Sequence, residues 1–237
     1  MNTFSILESY KAGWRGFKQN WLYILGAMLT LGLLSSLADI YMFIKTGTLN
    51  FATGPIYSLF SLIISLVTMV LSYNFISGTL DASENKKVKI ANLFKFNSVS
   101  IKGAGRYLLI GLALGVMCLV FVAPLVVYSA DSATFFVDGR IEKELYLLFA
   151  LAFVGVLYVY SLFGFSVIAM INENKTAIQA LKYSYKISHP HAFKIMAFYI
   201  MTGLLMLLGF IAFILPGIIL TAIFYFSSIW IYKKIKD

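Results

Sequence analysis

The two histidines of the chain flank a proline in the sequence His189-Pro190-His191. Imidazole groups at this spacing could bind a metal ion or change charge near neutral pH. A zinc site needs three or four ligands, and no cysteine or acidic cluster lies close in the sequence to complete one. We therefore favour a structural role, in which Pro190 separates two helices, and we predict no metal ion and no cofactor.

Asp39 is the one charged residue inside the long apolar runs of the sequence. A carboxylate within a membrane is by default a candidate relay for a proton or a cation. Asp39 lies late in its apolar run, however, and Lys45 follows it at the end where water reaches the chain. We favour a structural role near the membrane surface and keep an ion relay as the alternative for this intramembrane charge candidate.

Gly111 and Gly115 form a GxxxG pair in the third apolar run. Two small residues one helical turn apart let helix backbones approach closely. We predict that they pack within the protein, with a dimer face as the less favoured alternative. Cys118, among apolar neighbours, is expected to be an inert packing residue. The sequence shows no Ser-His-Asp, Cys-His, paired-carboxylate or phosphate-loop pattern, and we predict no catalytic residue.

The composition indicates the environment in which these residues act. Of the 237 residues, 60% are hydrophobic and 12% are charged, and the mean hydropathy is +0.86. Soluble domains carry about a quarter charged residues, and a disordered chain would be far more polar. We predict an all-α fold: a polytopic transmembrane helical bundle of six spans with amphipathic interfacial helices on the cytoplasmic side, forming a single integral membrane domain over residues 1–237.

Long uncharged runs locate the predicted spans, because about 20 helical residues cross the hydrocarbon core of a bilayer. The last run, Ile195–Tyr232, has 38 residues without a charge. A single helix of that length would be about 57 Å long, nearly twice the core thickness. Proline cannot continue a helix, so Leu215-Pro216-Gly217 is expected to divide this run. The predicted spans cover approximately residues 21–44, 55–77, 107–128, 145–171, 193–213 and 217–233.

Lysine and arginine residues predict the orientation of these spans. The N-terminal arm, the segments 78–106 and 172–194 and the C-terminal tail contain sixteen of them, and the opposite loops contain three. Positively charged loops remain in the cytoplasm, so we expect a multi-pass protein of the cell inner (plasma) membrane with both termini cytoplasmic. The first 20 residues lack the apolar core of a signal peptide, and the first span is expected to act as an uncleaved insertion signal.

A cationic stretch with helical periodicity precedes each pair of spans. In the third stretch, Ile178, Leu181 and Tyr185 form an apolar stripe, and Lys182 and Lys186 belong to a polar one. Helices of this kind lie in the headgroup plane, with the apolar side in the hydrocarbon and lysine next to lipid phosphate. We predict interfacial helices at approximately residues 3–18, 87–97 and 175–188. The candidate ligands for anionic headgroups are Lys11, Arg15, Lys18, Lys86, Lys89, Lys175, Lys182 and Lys186.

These stretches suggest three parallel copies of a unit in which an interfacial helix is followed by a two-span hairpin. The alternative is convergence, since every cytoplasmic entry into a membrane favours lysine together with aromatic residues. The net charge of +9 is accounted for by topology and by anionic headgroups of the cytoplasmic leaflet. We therefore expect membrane lipids as partners, with a membrane protein as a further candidate partner, and no nucleic acid.

Several short segments carry a resemblance to a known family. They are Gly13-Trp14-Arg15-Gly16-Phe17, Ala180-Leu181-Lys182-Tyr183-Ser184-Tyr185-Lys186, Ala192-Phe193-Lys194-Ile195 and Leu215-Pro216-Gly217-Ile218. With these segments the chain is similar to a poorly characterised superfamily of six-span bacterial membrane proteins, which includes the membrane domain joined to some glycerophosphodiester phosphodiesterases. Tyr185 replaces the usual tryptophan, and Ser188-His189-Pro190-His191 replaces the usual Lys-Gly-Asn or Lys-Gly-His. The resemblance implies a bacterial membrane protein and supplies no catalytic residues.

Three classes of function fit these patterns. A non-enzymatic membrane component that organises lipid or partner proteins accounts for the basic interfacial helices and for the scarcity of ionisable groups inside the spans, and we favour it. A small transporter or permease would need a polar path, for which the spans offer Asp39, Asn74 and hydroxyl groups. An intramembrane lipid enzyme is the least favoured class, because acid–base residues are scarce in the spans.

Overall fold

The structure is a computed structural model that describes residues 4–46, 55–84, 86–131, 143–212 and 214–236. Over these residues the chain is helical and contains no strand. Two short 3₁₀ helices, Ile90–Phe94 and His189–His191, lie between longer elements. The α-helices of the described ranges are α1 (Ile6–Thr46), α2 (Pro55–Ser83), α3 (Ser98–Asp131), α4 (Lys143–Phe163), α5 (Ser166–Asn172), α6 (Ala177–Ser188), α7 (Ala192–Ala212) and α8 (Ile214–Lys236).

Six helical segments in the described ranges are long and apolar enough to cross a membrane. They cover Ile6–Leu37, Ser58–Ser83, Ser98–Tyr128, Leu145–Asn172, Ala177–Ile211 and Pro216–Lys236. Large apolar side chains are exposed along them, and in α3, for example, Val116 is 65% and Val120 is 70% exposed. Water solvates such surfaces poorly, whereas a bilayer core matches them. The predicted all-α transmembrane fold with six spans is confirmed.

The chain divides into two compact units. The first unit consists of Met1–Leu108 and Leu205–Asp237, and the second unit consists of Leu109–Leu204. In the first unit, α1 packs along α8 and against α2. In the second unit, α6 packs against α4 and α5. The boundaries between the units fall within α3 and α7, so each of these helices contributes to both.

A kink divides α1 at Asn20, where the backbone leaves helical geometry (φ −129°, ψ 21°). The Asn20 amide donates a hydrogen bond to the carbonyl of Gly16 at 3.4 Å, and asparagine favours such local alternatives to the helical ladder. The kink lies between the interfacial helix predicted over 3–18 and the span predicted over 21–44. The first turns of α1 thus form a helical arm (residues 6–19) that continues into the first span.

α2 begins at Pro55, as predicted, and continues to Ser83 rather than ending near residue 77. Gly78 is the residue that suggests an earlier end in the sequence. In the structure Gly78 lies inside the helix, more than one turn before its end, and the side chain of Tyr23 fills the place of a side chain there. The Tyr23 hydroxyl donates to the carbonyl of Asn74 at 3.3 Å. Gly78 therefore lets α1 and α2 approach each other instead of terminating α2.

The segment predicted as an interfacial helix over 87–97 contains no α-helix. Its helical part is the single 3₁₀ turn Ile90–Phe94, and Lys89 and Lys95 on either side have extended backbones. The Asn74 amide explains the difference, because it donates to the carbonyl oxygens of Leu93 and Lys95 at 2.9 Å each. These carbonyls would otherwise accept helical hydrogen bonds. The segment is thereby held against α2 within the first unit, with Leu93 fully buried.

The fourth predicted span, 145–171, consists of two helices in the structure, because α4 ends at Phe163 and α5 begins at Ser166. Gly164 stands at the break, where a Cβ would lie 2.6 Å from the Tyr160 carbonyl and would overlap the Tyr199 hydroxyl. The Ser166 hydroxyl donates to the Phe163 carbonyl at 2.6 Å. Tight packing at a glycine thus interrupts the span in the second unit.

A capping box starts α6, with the Thr176 hydroxyl accepting from the Gln179 backbone and the Gln179 side chain accepting from the Thr176 backbone. This pairing satisfies two otherwise free donors of the first turn. α6 ends at Ser188, and the 3₁₀ turn that contains Pro190 separates it from α7. The observed bounds agree with the helix predicted over 175–188 and with the structural role predicted for Pro190.

The last apolar run forms two helices, as predicted. α7 ends at Ala212 and α8 begins at Ile214. Pro216 lies in the first turn of α8, where the missing N–H group of proline costs no helical hydrogen bond. The proline that divides the run in the sequence is therefore the start of the final span.

Candidate functional site

The cationic helix α6 is attached to the second unit by a stripe of small residues. Ala177, Ala180, Ser184 and Ser188 are buried, and their spacing of three and four residues places them on one helix face. The Ser184 hydroxyl donates to the Leu162 carbonyl in α4 at 3.0 Å. Small side chains allow the close approach that this bond requires, so the orientation of α6 relative to α4 is well defined.

The other faces of α6 are exposed. Ile178 is 67% and Tyr185 is 45% exposed, and the helical repeat places both on one edge. Lys182 and Lys186 are exposed and lie on the side roughly opposite the buried stripe, at 100° per residue. Neither lysine has a hydrogen bond or an ion pair with any described residue. α6 therefore presents an apolar edge and two available cations away from its protein contacts.

Lys175, just before α6, differs from these two lysines. Its Nζ lies 4.3 Å from the centre of the Tyr183 ring and 3.9 Å from Glu173 Oε2. Its side chain is 26% exposed. Both contacts compete with an external anion, so Lys175 is less available for binding an anion than Lys182 and Lys186 are.

The helical arm of α1 carries a second set of cations in the first unit. Lys11 and Arg15 are exposed and have no hydrogen bond or ion pair with the described part of the chain. Lys18 Nζ lies 5.2 Å from the centre of the Trp14 ring, which is a cation–π distance. Trp14 itself is 43% exposed. The arm thus combines two available cations with an exposed aromatic ring, a combination typical of membrane interfaces.

Lys86 belongs to an ion-pair cluster at the end of α2. Its Nζ lies 3.0 Å from Asp81 Oδ1 and 3.0 Å from Glu84 Oε2, and Lys233 Nζ lies 3.6 Å from Glu84 Oε1. The hydrogen bond from Lys86 lowers the pKa of the Glu84 carboxyl and raises the pKa of Lys86. Of the candidate headgroup ligands, Lys86 is therefore already paired, whereas the exposed Lys89 has no partner among the described residues.

The predicted packing role of Gly111 and Gly115 is not seen. Both glycines are exposed, and a Cβ on either would have no described atom of another segment within 4 Å. The glycine that brings two spans together in the second unit is Gly155, whose missing side chain is replaced by the Phe121 ring. Gly111 is followed by exposed Leu112, so the GxxxG face lies on the outer, apolar side of α3.

Two candidates remain, Asp39 and the histidine pair of residues 189 and 191. The side chain of Asp39 lies outside the described residues, so its role remains a prediction. His189 packs against Tyr185 with ring centres 5.2 Å apart, within the turn before α7. Among the described residues no group of three or more His, Cys, Asp or Glu side chains is arranged to hold a metal ion.

The faces by which the arm of α1 and α6 pack on the rest of the protein can be predicted only in part from the sequence. The arm of α1 carries Ser9, Gly13 and Gly16 at helical spacing, and the structure places the last two against α8. In α6 the corresponding stripe is Ala177, Ala180 and Ser184. A small-residue stripe at this period is a usable signal for close helix packing, and here it marks the faces that are not available to lipid.

Comparison with known proteins gives no match for this chain among family models, curated proteins or solved structures.

Proposed function

We propose that this multi-pass membrane protein is a non-enzymatic component of the plasma membrane that gathers anionic phospholipids around its basic side. The observation that carries the proposal is the surface of α6, where an exposed apolar edge lies beside Lys182 and Lys186, both without partners in the described part of the chain. A helix with these two surfaces is stable in the headgroup plane, with its apolar edge among acyl chains and its lysines next to phosphates.

The expected size of this attraction is modest per residue. A lysine or arginine close to an anionic leaflet contributes about 1 kcal/mol, and the effect decays within a Debye length of about 10 Å. Lys182 and Lys186 together would contribute about 2 kcal/mol, which corresponds to a roughly thirtyfold local preference for an anionic lipid. The arm of α1, with Lys11 and Arg15, would add a second surface of the same kind.

We also propose the orientation of the chain in the membrane and its membership of a bacterial family. The strong bias of lysine and arginine towards the segments that contain the basic helices supports a cytoplasmic location for both termini. The resemblance to the bacterial six-span superfamily belongs to the same proposal and supports a bacterial plasma membrane. A membrane protein is the second candidate partner, and lipid is preferred because Lys182 and Lys186 are exposed cations without partners among the described residues.

The transporter alternative receives little support from Asn74. Both hydrogens of its amide group are donated to backbone carbonyls, those of Leu93 and Lys95. An amide that serves a transport path would instead face an open polar route. Asp39 remains the residue on which this alternative depends.

Lipid analysis of the purified protein tests the proposal. Wild-type protein is extracted from membranes of equimolar phosphatidylglycerol and phosphatidylcholine, and the co-purifying lipids are quantified by mass spectrometry. We expect phosphatidylglycerol to be enriched, and we expect Lys182→Gln with Lys186→Gln to reduce that enrichment by up to about thirtyfold.

The matched control is Lys86→Gln with Lys175→Gln, which removes the same two positive charges from residues already engaged with Asp81, Glu84 and Glu173. This control should retain the wild-type lipid ratio. A wild-type ratio of one, or an equal loss in both double variants, would contradict the proposal.

A further inference from the structure

A cleft of about 250 Å³ lies between α1, α2 and α8 in the first unit. Small residues line it, namely Ala12 and Gly16 on α1 and Ala82 and Ser83 at the end of α2. Gly16 leaves no room for a side chain, because a Cβ there would lie 2.6 Å from the ring of Phe226. The volume equals that of roughly eight water molecules at about 30 Å³ each, which accommodates a phosphate group with a short polyol.

Two cations line this cleft from different helices, Arg15 from α1 and Lys233 from α8. Arg15 is exposed and has no hydrogen bond or ion pair with the described residues. Lys233 donates to Ser83 Oγ at 3.0 Å and lies 3.6 Å from Glu84 Oε1. An ammonium group has three hydrogens, so Lys233 retains one for a ligand. Gln19, one helical turn after Arg15, adds an amide group to the same cleft.

The carboxylates beside the cleft do not cancel its positive charge. Asp81 and Glu84 both contact Lys86 at 3.0 Å, and neither carboxylate lines the cleft. With Lys86 and Lys233 set against these two acids, the charge of Arg15 remains in excess. The cleft therefore favours an anion, and a guanidinium group binds phosphate oxygens with paired, charge-assisted hydrogen bonds.

The lining of the cleft changes from apolar to cationic along α8. Phe226, Ile229 and Trp230 contribute apolar surface, and Lys233 follows them one turn nearer the end of the helix. Tryptophan is typical of the headgroup level of a bilayer, where one side of the ring is apolar and the other is wet. A phospholipid has the same order of groups, with a phosphate joined through glycerol to acyl chains.

We propose that this cleft binds one anionic phospholipid through its phosphate, with Arg15 and Lys233 as the phosphate ligands and Trp230 beside the glycerol. The inference rests on the proposed function and makes it specific. The lysines of α6 attract anionic lipid as a diffuse surface, whereas the cleft is a single saturable site in the other unit.

Trp230 can report this binding directly. The chain has three tryptophans, so Trp14→Phe with Trp21→Phe leaves Trp230 as the only one. The intact protein in an uncharged detergent is titrated with dihexanoyl phosphatidylglycerol, with dihexanoyl phosphatidylcholine or with inorganic phosphate. We expect a saturable change in Trp230 emission with phosphatidylglycerol, and binding about tenfold or more weaker for the other two probes.

Two variants in this background test charge and shape separately. Arg15→Gln should weaken phosphatidylglycerol binding about tenfold or more, because it removes a charged hydrogen-bond partner. Ala12→Phe should abolish binding at constant charge, because its ring fills the cleft. Arg15→Lys should restore part of the affinity, which shows that the loss in Arg15→Gln is a loss of charge and not of folding. Lys182→Gln with Lys186→Gln should leave the titration unchanged.

Equal binding by wild type and Arg15→Gln, no rescue by Arg15→Lys, or equal affinity for the two lipids would overturn the assignment. If inorganic phosphate binds as tightly as phosphatidylglycerol, the cleft is a site for a free anion, and the proposal that it binds a phospholipid is wrong. The two proposals can fail separately. If only the cleft proposal is wrong, phosphatidylglycerol is still enriched in a way that depends on Lys182 and Lys186. If the proposed function is wrong, that enrichment is absent.

Discussion

Asn74 is the residue that holds the chain between α2 and α3 in place. It is 7% exposed, and its amide group donates to the carbonyl oxygens of Leu93 and Lys95 at 2.9 Å each. Gly26 of α1 assists by leaving room for Ile90, which would lie 2.9 Å from a Cβ there. A polar group inside an apolar run is thereby satisfied by backbone, as burial requires.

Removal of this amide should release the segment locally. Asn74→Ala leaves the Leu93 and Lys95 carbonyls without their donor, at a cost of about 1–3 kcal/mol for a buried group that loses its partner. We expect limited trypsin digestion to cleave faster after the lysines of residues 86–95. Asn92→Ala, in the same segment, has no side-chain hydrogen bond among those described and should be digested at the wild-type rate. Equal digestion of Asn74→Ala and wild type would show that the amide does not hold the segment.

The partners of Asn74 could not be predicted from the sequence. They lie 19 and 21 residues further along the chain, and they are backbone atoms, which carry no residue-type signal. From the sequence alone the polarity of Asn74 is equally compatible with a transport path. The helix predicted over 87–97 differs from the observed 3₁₀ turn Ile90–Phe94 for the same reason, since local periodicity carries no information on a hydrogen bond from another helix.

At the scale of elements, the arm of α1 packs closely against the middle of α8 in the first unit. The Ser227 hydroxyl donates to the Ser9 carbonyl at 2.9 Å. A Cβ on Gly13 would lie 2.5 Å from the Ile223 carbonyl. Because the Ile223 carbonyl is a backbone atom, a rotamer change cannot relieve this second contact, and the position of the basic arm depends on it.

Gly13→Ala should therefore separate the arm from α8 and lower the stability of the protein by about 1–3 kcal/mol, the usual cost of overpacking. Gly32→Ala is the matched control in the same helix, because a Cβ there would meet no atom of another described segment within 4 Å. It should be neutral or stabilising by about 0.5–1 kcal/mol, since alanine favours helix. Thermal unfolding in detergent measures both. Shifts of the same sign and size would contradict the packing described here.

The amphipathic period of the basic helices could be predicted, but the face that docks on protein could not. In α6 the alternation of apolar and lysine positions is visible in the sequence, and the exposure of Ile178, Lys182 and Lys186 agrees with it. The partner of the third face, Leu162, is 22 residues away from Ser184. Helix periodicity is a local property, whereas the choice of docking face depends on such distant partners.

At the scale of the whole molecule, the number of spans can be predicted from the length of the apolar runs and from the positions of charged residues. Each crossing of a bilayer requires about 20 apolar residues, and charged residues inside it are costly. Each span can therefore be recognised from one contiguous stretch of sequence. Breaks caused by packing, such as that at Gly164, carry no such signal. We propose that the basic segments each face the cytoplasm, where anionic headgroups can be bound.

Cysteine accessibility in the intact chain tests this claim most directly. Cys118 is the only cysteine, so Cys118→Ser provides a background for single cysteines at Lys87 and Lys186 on the basic side, and at Asn50 and Arg140 on the other. Intact cells are treated with a membrane-impermeant maleimide. We expect labelling at positions 50 and 140 only, with positions 87 and 186 labelled after the cells are opened. Labelling of position 87 or 186 in intact cells would contradict it.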